Sequence, residues 1–574
     1  MAEPWFERGS IAPSVLMGGF TTIGGILYGY DAGLIAGVLA MDTFKQDYGV
    51  FDPAHGGFYL PPMRKSIIVS ALSIGLFTGA CSTGSIADVR GRRIGLILAC
   101  LVFMVGVFMQ GSRTSLLYFT LGRLVSGFGV GQVSSMGPLY QAEISPKHLR
   151  GAITAAYHSA KTFGVLTASI VDSWARSRPG KSSYLIPVFL QLVPAVIMLC
   201  GFLFLPESPR FLVKANRMDD ARTALARIRH LPADDSLVTY ELSEIEASIE
   251  LERSQSEVTI ADCFKKAPNR QRYRMVIGIV AGAMSQLVGV NFIKYFGTDF
   301  FLQAGITNSF LVTIATNSVS FCMTIPSLFL IERLGRRPFL SLGLFACFVT
   351  QYIISITGIV FGRDSESSHK MLVIFTILYI AVESCGAGPP LLVVIGETFP
   401  LRTRAKSIAL SIGIDYFFNF LISYFTPFLV DDAPGSLNMG TNVFFIWGTS
   451  SLLGSIFVYF FVYETKGLTL EQIDEVYNTV PLAWQSTSFK PTSTLALSHD
   501  VEPIVDPELL IDIAAESVAI HTHADPNKFN ESIVQEVPVG TDRLDHLESD
   551  SESLSGDEDA NELTNLNDHS PWRR

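Results

Sequence analysis

Twelve stretches of about twenty mostly apolar residues run through this 574-residue chain, and each is long enough to cross a bilayer as an α-helix. Their approximate limits are 15–40, 67–87, 94–111, 116–139, 152–171, 184–205, 275–301, 309–330, 339–361, 372–395, 405–428 and 442–462. Inside lipid a backbone must satisfy its own polar groups, so runs of this length are helices or nothing. The fold class expected is an all-α membrane protein of twelve transmembrane helices. Composition agrees, with 48 % hydrophobic residues, a mean hydropathy of +0.36 and 17 % charged residues, where soluble domains average about 25 %. A net charge of -11 argues against nucleic-acid binding, which needs a basic face to neutralise phosphates. The seven cysteines are an odd number, and Cys81, Cys100, Cys200, Cys322, Cys347 and Cys385 lie in apolar runs. They read as buried thiols rather than a disulfide framework. The first span lacks a basic leader and continues past Asp31, so no cleavable signal is read there.

An even number of spans puts both termini on one side. Basic residues gather in the loops after spans 2, 4, 8 and 10 and in the long connection 206–274, so the positive-inside rule places that connection and both termini in the cytoplasm of a cell-membrane protein. The chain then divides into an N-terminal segment 1–14, a six-helix half 15–205, a linker 206–274 with short helices, a second half 275–462, a post-helix segment 463–490 and a tail 491–574.

The two halves repeat one another. Gly91-Arg92-Arg93 follows span 2 and Gly335-Arg336-Arg337 follows span 8, each with an acid three residues before the glycine, Asp88 and Glu332. After spans 4 and 10 the spacing E-x-x-P-x-x-x-R recurs as Glu143, Pro146, Arg150 and as Glu397, Pro400, Arg404. After spans 6 and 12 come Pro206-Glu207-Ser208-Pro209-Arg210 and Tyr463-Glu464-Thr465-Lys466-Gly467. Parallel halves of this kind are a transporter design, with substrate held between them near the midplane. The acids and arginines Asp88, Arg92, Arg93, Glu143, Arg150, Glu332, Arg336, Arg337, Glu397 and Arg404 read as charge clamps between helix ends that close the cytoplasmic side in one state; topology anchoring alone is the plainer reading.

These motifs, with Gly29-Tyr30-Asp31 in span 1, Gly122-Arg123 opening span 4, Gln286-x-x-Gly289-x-Asn291 in span 7 and Gly388-Pro389 in span 10, resemble the sugar porters of the major facilitator superfamily over nearly all of residues 15–475. The run Phe399-Pro400-Leu401-Arg402-Thr403-Arg404-Ala405-Lys406-Ser407 is similar to fungal hexose transporters in particular. The resemblance implies a two-half fold and a monosaccharide substrate. It also implies a proton site at Asp31 with Arg123 as its partner, since facilitative members carry a neutral residue there. A structural ion pair is the alternative. Each ion in mid-membrane costs about 2.5–3.5 kcal/mol, so neither is tolerable alone.

The sugar pocket departs from the pattern of the family it resembles. Gln286, Asn291 and Asn419 keep their amides, but His158 stands where a Gln is usual, Ser285 precedes Gln286, Ser320 replaces an Asn, Leu392 replaces a Trp, and Asp415-Tyr416 replaces an Asn-Trp pair. Lys161, Lys294 and Glu383 add ionisable groups within spans, and Lys294 pairing with Asp415 or Glu383 is one expectation. Binding at about 1 mM is worth only about 4 kcal/mol, and each hydrogen bond about 0.5–1.5 kcal/mol. Lost amides must therefore be compensated, unless the substrate differs from hexose or transport has given way to another task.

From 491 to 574 the chain has 19 acids against 4 bases, a composition that buries too little apolar surface to fold alone. This tail holds the whole acidic excess of the protein. It reads as a solvated tail or as a docking or phosphorylation segment for a signalling or trafficking partner, which keeps a second function in view beside proton-coupled hexose transport: a transporter-like glucose sensor. No catalytic set, metal cluster or cofactor loop is read, and Gly127-x-Gly129-x-Gly131 inside span 4 is helix packing. The expected partners are a sugar, a proton and the lipid bilayer.

Overall fold

The computed structural model describes residues 11–53, 57–112, 115–145, 150–254, 259–266, 270–362, 365–400 and 402–489. The acidic tail and the side chain of Arg150 lie outside what is described. Each of the twelve spans is helical, in order Ile11–Ala40, Pro62–Arg90, Arg92–Ser112, Leu116–Ile144, Arg150–Ala175, Ser182–Phe204, Gln271–Gln303, Ser309–Leu334, Arg336–Phe361, Glu366–Thr398, Arg404–Val430 and Val443–Phe461. Ten of the twelve are apolar enough to cross a membrane by length and composition. Spans 4 and 5 have the length, 29 and 26 residues, but their polar side chains, Arg123, Gln132, Gln141 and Asp172 among them, are buried inside the protein. The bundle encloses what lipid would reject.

Three spans are broken. Span 6 steps at Gln191, between Ser182–Leu190 and Leu192–Phe204. Span 7 stops at Leu287 and restarts at Val290, because Gly289 adopts φ +87°, a left-handed conformation that only glycine takes without strain. Span 10 widens into a π-turn over Glu383–Ala387, ahead of Pro389 and Pro390. Continuous helices were the sequence expectation at 275–301 and 372–395. The carbonyls freed at the span 7 break are met by side chains instead: Gln351 Nε2 and Tyr379 Oη donate to Val288 O at 2.8 and 2.9 Å, and Ser450 Oγ donates to Leu287 O. Broken helices in a membrane are tolerated only with such substitutes.

The packing repeats as the motifs do. In the first half span 1 packs on span 5, span 2 on span 4, and span 3 on spans 4 and 6; in the second, span 7 packs on span 11, span 8 on span 10, and span 9 on spans 10 and 12. The halves meet where span 2 lies on span 11, span 5 on span 8, and span 1 on the second part of span 7. Advancing every number by six exchanges the first two contacts, as a pseudo-two-fold axis requires. Spans 1 and 5 approach closely because Gly29 and Gly33 leave room for the backbone of Lys161 and Val165.

On the side that carries the linker, short helices at Pro209–Lys214, Met218–Arg229 and Ser236–Ser254 share a small apolar cluster that includes Leu212, Ala221, Leu225, Val238 and Leu242. The helix Leu470–Thr479 follows span 12, capped by Thr469 and Gln472. On the far side, Val50–Asp52 and Gly57–Tyr59 pair as a two-stranded antiparallel ribbon, a small addition to an otherwise helical fold. All seven cysteines are free, and Cys81, Cys200 and Cys322 are exposed on helix surfaces rather than buried as expected.

Candidate substrate and coupling site

Asp31 and Arg123 meet in the interior of the first half. Arg123 Nη1 donates to Asp31 Oδ1 at 2.6 Å and to the Asp31 carbonyl at 3.2 Å, with both side chains fully buried. Asp31 Oδ2 and Arg123 Nε and Nη2 find no partner among the described residues. A single-point contact leaves much of the desolvation cost of two buried ions uncompensated.

The second half supplies a connected polar cluster around the break in span 7. Asp415 accepts from Ser285 Oγ and, at 2.7 Å, from Gln286 Nε2. Gln286 Oε1 accepts from Asn291 and from Asn419 Nδ2 at 3.2 Å, and Asn419 also donates to the Tyr295 hydroxyl at 3.2 Å. The first half reaches this cluster twice. Ser73 Oγ donates to Asn419 Oδ1 at 2.6 Å, and the Ser134 and Tyr416 hydroxyls lie 3.1 Å apart. Ser320 bonds Ser384 at 2.8 Å, which donates to Glu383 at 3.2 Å; these sit at the π-turn of span 10. The sequence-predicted residues Gln286, Asn291, Asn419, Ser285, Asp415 and Tyr416 are thus brought together, and Tyr295 joins them.

The remaining charges behave differently. Lys161 places Nζ 4.1 Å from the centre of the Tyr28 ring, a cation–π contact. His158 stands one turn before it on the same helix. Lys294, which the sequence suggested would pair with Asp415 or Glu383, makes no ion pair or hydrogen bond with any described residue. Asp415 accepts instead from Ser285 and Gln286, both through Oδ1.

The loop motifs on the linker side assemble across motifs rather than within them. Arg92 holds Glu143 through Nε and Nη2, both at 3.0 Å, and Arg336 holds Glu397 likewise at 3.1 and 3.0 Å. Such two-point pairs are the strong form of the interaction. Glu332 adds a second carboxylate to Arg336 at 2.8 Å, but its counterpart Asp88 turns outward to Lys214 at 3.0 Å and leaves Arg92 alone. Arg93 and Arg337 donate to carbonyls at the ends of spans 6 and 12, Phe202 and Tyr459. Arg404 donates to Gly396 O, so it does not pair with Glu397. The clamps described here close each half on itself and do not join the halves. Two further acids belong to them: Glu207 accepts from the Arg92 and Arg93 amides and Glu464 from those of Arg336 and Arg337. Glu207 thereby caps the N-terminus of span 3 and Glu464 that of span 9, where a negative charge meets free amides and the helix dipole. Their matched positions after spans 6 and 12 were the available signal.

What joins the halves lies on the far side. Lys65, at the start of span 2, is held by Asp299 of span 7 at 2.6 Å and by Asp431 after span 11 at 2.8 Å; Lys45 reaches Asp299 at 3.2 Å, and Gln303 donates to both aspartates. Burial raises the Asp431 carboxyl above its ordinary range, with Lys65 opposing. Ser66 Oγ adds a bond to the Tyr424 carbonyl at 2.6 Å. Sequence reading passes over this network: its members sit at span ends, where charges are ordinary, although Asp299 lies within the expected limits of span 7.

Fold and site together define a class, a membrane carrier of two related halves. Residues 19–477 match the family described as "Sugar (and other) transporter", and the chain belongs to that family. It is 38 % identical over 499 residues to the major facilitator-type transporter ecdD of Aspergillus rugulosus, covering 85 % of this chain and 92 % of that protein. It is 37 % identical to the high glucose sensor RGT2 of Saccharomyces cerevisiae, covering 88 % of this chain and 66 % of the sensor's length. The inward-open structure of the xylose transporter XylE from E. coli shares its fold, with a TM-score of 0.65 at 23 % identity over 81 % of this chain and 99 % of that one.

Proposed function

We propose that the protein is a monosaccharide transporter of the cell membrane that couples sugar entry to a proton by alternating access, with both termini and the linker in the cytoplasm. The carrying observation is the Asp31–Arg123 pair: a carboxylate buried in a span, bonded through one oxygen, its other oxygen unpartnered. Protonation of Asp31 removes the charge that holds Arg123 and lets span 1 shift against span 4. Span 1 also packs on span 7, whose break carries Gln286 and Asn291, so proton and sugar act on neighbouring elements. The Lys65 network joins the halves on the far side, which supports reading this state as closed there. A sugar leaving would break hydrogen bonds to Gln286, Asn291 and Asn419, which re-form with each other as described here.

The test is uptake of labelled glucose by the full chain in a cell lacking its own hexose transporters. Asp31→Asn should abolish accumulation driven by a pH gradient. One proton at 100 mV is worth about 2.3 kcal/mol, so the wild-type accumulation ratio of up to about 50 at that potential should fall to 1. Sugar movement without proton movement in the wild type sinks the coupling.

The similarity to RGT2 and the altered pocket favour a second reading, a sugar receptor that moves little or nothing and signals through its tail. No uptake, with glucose-dependent transcription in the native host lost on deleting residues 491–574, establishes that reading instead.

A further inference from the structure

Asp172 stands on span 5, one turn from its far-side end at Ala175, and is 1 % exposed. Neither carboxyl oxygen has a hydrogen-bond partner among the described residues. Its place is the joint between spans 1 and 5. Gly29, Gly33 and Gly37 recur at every fourth residue of span 1 and so lie along one face. The first two admit the backbone of Lys161 and Val165, and the third admits the Asp172 side chain, whose Cβ, Cγ and Oδ2 fill the space that a Gly37 Cβ would take. The Gly37 amide set against the carboxyl is interior to an unbroken helix and already serves the helix ladder. Spans 1, 4, 6 and 8 pack on span 5, and their ionisable groups around this joint are engaged elsewhere. Asp31 is held by Arg123, the Tyr30 hydroxyl donates to Pro187 O at 3.1 Å, and Tyr184 donates to Asp47, which Lys181 also approaches at 3.7 Å. Arg176, just past the end of span 5, rests its guanidinium over the Phe310 ring of span 8 at 4.6 Å.

We propose that Asp172 is a second proton-binding site, separate from Asp31, and that it keeps its proton as long as spans 1 and 5 are packed together. A carboxylate sealed from water with neither a cation nor donors is prohibitively costly, whereas the neutral acid leaves only a hydroxyl unmet. The ion therefore needs water, and water reaches it only when the far end of the joint parts. Opening releases the proton to that water and leaves the carboxylate hydrated; closing takes one proton back. The sign follows from this exchange. The joint is at full strength below the ordinary aspartate value of about 3.9. It weakens above that value, by about tenfold in its equilibrium for each pH unit over which the closed form alone keeps the proton. Span 1 also carries Asp31, so protons act on one helix at two points: at Asp172 they seat it on span 5, and at Asp31 they free it from span 4. The inference goes beyond the transport reading and holds for a carrier and for a sensor alike.

The full chain, purified in detergent, is compared with Asp172→Asn and Asp172→Leu, neither of which ionises at that position. Infrared difference spectra near neutral pH should show a protonated-carboxyl C=O band in the wild type that both variants lack. Melting temperatures are followed from about pH 5 to about pH 8, above the ordinary aspartate value. Other acids titrate in all three proteins, so the difference between the curves reports Asp172. As pH rises over that window the wild type should fall by several degrees relative to either variant. Curves that stay parallel overturn the proposal whatever the infrared band shows, because Asp172 then binds as many protons in the folded chain as in the unfolded one. A wild type that gains on the variants with rising pH also overturns it, since the folded chain then holds the carboxylate in its charged form. Either variant suffices where the other fails to fold. Where neither folds, the wild type labelled isotopically at its aspartate carboxyls decides in the Asp31→Asn background: a protonated aspartate band that persists at the alkaline end supports the site, and its absence overturns it.

Discussion

A lysine as enclosed as Lys65, 4 % exposed, keeps its charge only because Asp299 and Asp431 lie beside it at 2.6 and 2.8 Å. Removing the cation alone leaves Asp431 with no cation and Asp299 with Lys45 only, and breaking a buried pair from one side typically costs about 3–5 kcal/mol. Lys65→Met should therefore lower the melting temperature in detergent by several degrees. Adding Asp299→Asn and Asp431→Asn should recover most of that loss, because the neutral amides no longer lack a counter-ion. If the triple variant melts as low as the single one, lost packing rather than stranded charge is the cause. Asp31 and Arg123 follow the same rule with fewer bonds, which is why their pairing is legible from sequence and its looseness is not: one buried acid and one buried base demand each other, while the orphaned Oδ2 is a matter of rotamer.

Helices record their limits in the sequence unevenly. The twelve spans are readable because lipid forces long apolar runs, and the doubled loop motifs are readable because both halves keep the same residues at the same offsets. The breaks in spans 7 and 10 are not, since Val288-Gly289 sits inside a stretch whose length and hydropathy read as one span and the π-turn at Glu383 needs no special residue. The partners that make the span 7 break possible, Gln351, Tyr379 and Ser450, lie 63 to 163 residues away. Gly289 is where the element is most exposed to test. A Cβ there meets both a left-handed φ of +87° and the Trp447 ring at 2.5 to 2.9 Å. Gly289→Ala should cost about 1–3 kcal/mol and reduce uptake at least tenfold, because Gln286 and Asn291 flank the break; uptake within twofold of wild type would show that the break is not needed. At the other end of the same half, Glu464 accepts from four backbone amides, those of Arg336, Arg337, Thr465 and Lys466. Glu464→Ala should lower stability by about 1–2 kcal/mol, the scale of losing a good cap, measured by denaturant or thermal unfolding in detergent. Glu464→Gln should lose less.

Across the whole molecule the net charge of -11 sums a mildly basic body and an acidic tail. Without the tail, residues 1–490 carry a net of +4, and that mildly basic body is the carrier, whose Arg92–Glu143 and Arg336–Glu397 pairs are each made within one half. The described polar bonds across the seam run from Lys65 and Asp299 at the far end to Ser134 and Tyr416 near the middle. This arrangement explains why the clamps pair within halves: a rigid body is needed on each side of a hinge before a few cross-seam bonds can select a state. Removing those bonds should then shift the population of states without unfolding either half. In the triple variant Lys65→Met, Asp299→Asn, Asp431→Asn, amide exchange at residues 62–73 and 419–431 should accelerate at least tenfold. Exchange in the clamped loops around Arg92 and Arg336 should stay as in the wild type. A uniform acceleration over both regions would mean general loosening rather than a released gate. No change at 62–73 would mean that the seam is held by its apolar contacts, with the ions only following.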